Sequence, residues 1–225
     1  MQLDTPVRVP SRPALLGPGP SGTTRPGPLA ATGTAVLFTG ADAPPAPLVR
    51  ALYGTFPAYR AAFDALRRTL DARLPIPLAA VVFAPEQGAD ARLLGENPYA
   101  RCALFGHQVA LFRLWESWGL DIAAVAGRGT GSVAAAHVAG GLAAGAAARL
   151  LVAGPARHRT PGNPAHPVEG YGTVLACGPV PGNGAAVGDV RALARALAAL
   201  QLHGPPLDWE RLARGAGART PAAAP

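Results

Sequence analysis

Phe56, Tyr59, Phe63, Leu66 and Leu70 recur at steps of three and four, with arginines on the other faces. One apolar stripe at that spacing predicts an amphipathic helix over 56–70, ended by Pro75 and Pro77. A second helix is predicted over 103–118 (ALFGHQVALFRLWESW), with Gly119 as its stop. Short apolar runs at 34–40 (TAVLFTG), 122–126 and 173–178 (TVLACG) predict strands, and the ADAPPAPL stretch after the first reads as a Pro-rich loop. Alanine-rich stretches at 132–139 and 143–153 predict two more helices. Val187, Val190, Leu193, Leu197 and Leu200 predict a last one before the closing LDWERL. Strand, helix, helix, strand and helix in this order specify an α/β domain with a short, largely parallel sheet flanked by helices.

The apolar run at 122–126 leads into Gly127, Arg128, Gly129, Thr130 and Gly131, and a helical pattern leaves it. That is the outline of a nucleophile elbow, G-x-S-x-G, in which a sharp strand-to-helix turn lifts a serine off the sheet. Here the serine's place holds Gly129. Glycine suits such a corner, because its missing Cβ lets it take strained backbone angles cheaply.

Composition sets the limits of the folded part. The chain has 225 residues, 49% of them hydrophobic, with 28 Gly and 25 Pro. Pro and Gly crowd residues 6–28, 154–184 and the last dozen. Residues 1–33 therefore read as a Pro/Gly-rich linker or disordered lead-in, 34–213 as the domain, 155–170 as a loop within it, and 214–225 as a disordered tail. All 20 basic residues are arginine and the net charge is +7. The arginines are scattered singly rather than gathered into a patch, with no interleaved aromatics, so no nucleic-acid partner is expected. Cys102 and Cys177 have no metal-type spacing, and two free thiols are expected. No apolar run approaches a membrane span and the N-terminus has no signal-type apolar core. The expectation is a cytoplasmic protein with no membrane partner, no metal and no cofactor.

Several segments carry a family resemblance: VLFTG at 36–40, LYGTFPAYRAAFD at 52–64, VALFRLWESWG at 109–119, AAAHVAGG at 134–141 and LHGPPLDWERLARGAGAR at 202–219. With them the chain resembles the acyltransferase domain of modular polyketide synthases, related to malonyl-CoA:acyl carrier protein transacylases. The resemblance implies a large, α/β-hydrolase-like subdomain and a small ferredoxin-like one. It also implies transfer of an acyl group from coenzyme A to a serine, then to a carrier protein's thiol. That chemistry uses a serine nucleophile, a histidine base, an oxyanion hole and often an arginine for the malonyl carboxylate.

Residue by residue, the resemblance puts the nucleophile at Gly129 and the histidine beside it at Arg128. The F-x-G-Q-G-x-Q pattern after the first strand is here Phe38, Thr39, Gly40, Ala41, Asp42, Ala43 and Pro44. An N–H at Ala41 can still serve an oxyanion, but Asp42 adds unfavourable charge. Gln-Pro-Ala becomes Arg101, Cys102 and Ala103, and the carboxylate-binding arginine falls on Gly154, followed by Pro155. About thirty residues, largely loop, stand where the small subdomain should be, so that subdomain is expected to be largely absent. AHPVEG around His166 is the remaining trace of the base's neighbourhood. Thr130 and Ser132 are the substitute nucleophiles to weigh, Ser132 being first of all a cap or first-turn residue.

Losses in every role imply a catalytically inactive domain, a structural or docking element beside the ketosynthase and linker regions of a polyketide synthase. An acyl carrier protein or a trans-acting acyltransferase is a further candidate partner. The alternative is a residual or remodelled acyltransferase or thioester hydrolase, and a third reading is a relic without a role.

Overall fold

A computed structural model describes residues 14–15, 33–40, 43–154 and 173–177. Among these, four strands form one parallel sheet in the order β1-β3-β2-β4: β1 Ala14–Leu15, β2 Thr34–Phe38, β3 Ile122–Gly127 and β4 Thr173–Cys177. The register sets Phe38 beside Gly127 on one side and Cys177 on the other, so three strands finish level with one another. Parallel strands require crossover connections, and the helices supply them. The α/β class and the short parallel sheet expected from the sequence are those observed.

Seven helices are described: α1 Ala46–Thr55, α2 Pro57–Asp71, α3 Leu78–Val82, α4 Ala89–Leu93, α5 Tyr99–Ser117, α6 Thr130–Val138 and α7 Ala144–Ala153. Tyr59, Phe63, Leu66 and Leu70 of the predicted stripe are buried, as their spacing requires. Phe56 is instead the residue between α1 and α2. The Pro-rich stretch read as a loop is in part helix. Pro45 caps α1 and Pro47 lies in its first turn, where a missing N–H costs nothing. The short helices α3 and α4 carry too few turns for a periodic signal to appear. α3 and its flanks are anchored by tertiary bonds: Leu78 N donates to Asp71 Oδ1 (2.7 Å), Ile76 N to Tyr99 Oη (2.9 Å), and Arg50 to the carbonyls of Val82 and Ala84.

Helix α5 is the hub. Fifteen of its residues are buried, all round the helix rather than on one stripe. Its Phe112 ring meets Phe38 of β2 at 6.0 Å, and Phe105, Phe112, Tyr59, Phe63 and Trp118 are among the largest fully buried side chains. On the sheet's other face Ala35, Leu37, Ala124 and Ala126 form a second, smaller buried cluster. Ala14 and Leu15, inside the segment expected to be a lead-in, pair with Ala124 and Val125. Apart from Gly33, the other residues of that lead-in lie outside the described residues, as do the whole loop at 155–170, the helix expected at 187–200 and the tail.

Candidate functional site

The glycine corner folds as an elbow. β3 ends at Gly127, α6 begins at Thr130, and Gly129 between them has φ 56° and ψ −129°. Few residues with a side chain adopt such angles. Its flanking glycines answer a different need. A Cβ on Gly127 would fall on the Gly131 carbonyl, and one on Gly131 would fall on the Phe38 carbonyl. The turn is thus pressed against the end of β2, and Arg128 N donates to the same Phe38 carbonyl at 2.9 Å. Gly129 itself is exposed, and a Cβ there would sit 3.4 Å from the Gly40 carbonyl, an ordinary contact.

Helix α6 starts two residues earlier than the sequence pattern suggests, which moves Ser132 from the helix start to its third position. Its Oγ is exposed and donates to the Gly129 carbonyl at 2.7 Å, a bond to the turn rather than to a base. Thr130 is the first helical residue and is half-buried, as is Arg128. Ala41 and His166 lie outside the described residues.

The two described histidines are engaged in the fold. His137 Nδ1 donates to the Leu142 carbonyl at 2.8 Å, tying the end of α6 to the following turn. His107 is buried on α5 with its Nδ1 2.8 Å from Tyr59 Oη, and burial pushes its pKa down to about 4. It is therefore neutral at physiological pH and shut off from the elbow's open side. Both cysteines are buried free thiols. Burial pushes the Cys102 thiol up to about 11, against a smaller opposing pull from the Arg101 charge, and raises Cys177 well above its ordinary range. Neither supplies a thiolate near neutral pH.

Two further residues organise this edge of the sheet, and neither motif nor period flags their partners. Gln108, fully buried on α5, donates through Nε2 to the carbonyls of Thr39 (2.6 Å) and Cys177 (2.8 Å). It clips together the ends of β2 and β4, while its Oε1 has no partner among the described residues. Arg101, two turns earlier, donates through Nε to the Leu151 carbonyl near the end of α7 (2.8 Å). α7 stops at Ala153, and Gly154 has φ 85°. The only sequence signal for Gln108 is the polar pair it makes with His107 in an otherwise apolar run. Arg101 and Leu151 stand fifty residues apart, and nothing local announces their bond.

Among the described residues no group of three or more His, Cys, Asp or Glu is placed to hold a metal ion, and no helix is long and apolar enough to cross a membrane.

Comparison with known proteins supplies the family. Residues 37–159 match the model described as acyl transferase domain. The chain is 41% identical over 120 residues to the phenolphthiocerol synthesis polyketide synthase type I Pks15/1 of Mycobacterium marinum, covering 53% of the chain and 6% of that protein. It is also 41% identical over 125 residues to the polyketide synthase GfsA of Streptomyces halstedii, covering 56% of the chain and 2% of that protein. The chain thus spans a small fraction of the length of these relatives. Among solved structures, the acyl transferase domain of ZmaA superposes with a TM-score of 0.50 at 21% identity, over 55% of this chain and 29% of that one, a likeness of fold. With the family's pattern running through more than half of its 225 residues and the elbow standing at its place in the sheet, the chain belongs to the acyl transferase domain family.

Proposed function

We propose that this chain is a catalytically inactive acyltransferase domain that serves a polyketide synthase as a structural or docking element. The observation that carries the reading is Gly129: the elbow keeps its strained turn, and the residue raised by that turn has no side chain. An acyl-enzyme needs a nucleophile at that point and a base within reach of it. Ser132 is bonded to the turn, and the described histidines and cysteines are buried or committed to carbonyls. Ala41 at the oxyanion position, Arg128 beside the elbow and Gly154 at the carboxylate position support the same reading through the family resemblance.

The retained core gives such a domain something to do. Fifteen buried residues on α5 and the buried stripe on α2 keep a rigid α/β body, which can hold ketosynthase and linker regions in register. A carrier protein or a trans-acting acyltransferase is the further class of partner for its surface.

The test is intact-protein mass after incubation with malonyl-, methylmalonyl- and acetyl-CoA. The expected result is an unchanged mass with all three. A stable acyl adduct that disappears in Thr130→Ala or Ser132→Ala would overturn the proposal and establish a remodelled enzyme.

A further inference from the structure

α6 leaves the elbow and α7 returns after the five-residue turn at 139–143, the geometry of a helical hairpin. Ala153 and Gly154 therefore lie at the elbow's end of this pair. α5 brings its N-terminal half to the same end. Gln108, in the middle of α5, meets the carbonyls at the finish of β2 and β4, and Arg101 stands two turns nearer the helix start, about 10 Å beyond them. In open α/β sheets the crevice beyond the carboxyl ends of the strands is where ligands bind.

At that end of the sheet the Arg101 guanidinium lies over Gly154. A Cβ at Gly154 would be 3.4 Å from Nη2 and 3.6 Å from Nη1, so a long side chain starting there would run into it. Nε is fixed by the Leu151 carbonyl, and the negative end of the α7 dipole favours the cation there. Arg101 is only half-buried, and its two Nη atoms have no hydrogen-bond partner among the described residues. A planar fork held by its Nε, with both Nη groups left over, matches a carboxylate in two-point contact.

We propose that Arg101 is a carboxylate-binding residue: it delivers from α5 a guanidinium to the place where family resemblance expects one from residue 154. Gly154 is then the partner change that makes room. The ligand class is a short acyl thioester with a free carboxylate, held beside an elbow that cannot acylate. The proposal rests on the inactive reading only for the fate of the ligand, since binding without transfer follows from Gly129.

Equilibrium binding to the full 225-residue chain, by calorimetry, tests it with malonyl-CoA, acetyl-CoA and CoA. Malonyl-CoA is expected to bind about tenfold more tightly than acetyl-CoA, the worth of one charge-assisted contact. Arg101→Gln abolishes that preference, and adding Gly154→Arg to it restores at least part. Thermal unfolding of each variant accompanies the titrations, because Arg101→Gln also removes a bond to α7. Should that variant not fold, Arg101→Lys decides: a point charge without the fork is expected to lose most of the preference. Equal binding of all three ligands, no binding, or a preference that survives both Arg101 variants would overturn the proposal. Covalent acylation in the mass experiment would overturn the inactive reading and leave this preference untouched.

Discussion

Three glycines within five residues answer three constraints, and substitutions separate them. Gly131 packs its Cα against the Phe38 carbonyl, so Gly131→Ala must push the elbow off β2. The expected loss is about 2–3 kcal/mol in chemical denaturation, in the range of an overpacked core. Gly129 has space but the wrong angles for a side chain, so Gly129→Ser costs only about 1–2 kcal/mol through backbone strain. A Gly129→Ser loss equal to that of Gly131→Ala would show the corner to be closed on both sides. At His107 the sign follows from its depressed pKa. The unfolded chain takes up the proton near pH 6.5 and the folded one only near pH 4, so stability falls as pH drops through that window. About 3 kcal/mol is at stake. Chemical denaturation at a series of pH values should show this slope in the parent protein and a much flatter one in His107→Gln.

Elements here are joined by side chains as much as by backbone ladders. Gln108 replaces what a continuous sheet end would supply, gripping the carbonyls of Thr39 and Cys177 from below. Gln108→Leu removes both bonds from a buried site. The expected cost is about 2 kcal/mol, with hydrogen exchange accelerated most in β4, which pairs only with β2 among the described strands. Uniform acceleration across the sheet would argue that the clip is not local. The amphipathic helix α2 was legible because its buried residues repeat at helical spacing. α1, with Pro45 and Pro47 at its start, was not, because proline signals a break unless the first turn is known in advance. α3 and α4 were invisible for lack of length: a five-residue helix holds barely more than one turn.

For the whole molecule, the question is whether restoring one part restores the activity. On the proposed reading, Arg128→His with Gly129→Ser rebuilds the nucleophile's motif but supplies neither a distant base nor the oxyanion pattern that the family resemblance puts around Ala41. No transfer from malonyl-CoA to a carrier protein is expected, and turnover comparable to an active domain would show that the remaining losses are immaterial. If the segment belongs to a polyketide synthase, as proposed, deleting residues 34–213 from that synthase separates scaffold from relic. Loss of assembly or product supports the scaffold, whereas unchanged product titre would leave the domain without a role.

The sequence by itself determined the α/β class, the order of the main elements and the glycine at the tip of the elbow. These are consequences of local spacing and of a motif whose members are contiguous. Only the tertiary structure decided that Gly129 keeps the strained turn, that Gln108 joins two strand ends, and that the Arg101 guanidinium lies over Gly154. Arg101 and Gly154 each read as a loss in sequence, because each was compared with its own position. Folding brings α5 and the end of α7 together, and contact between residues fifty apart is set by packing of the whole core rather than by any local pattern.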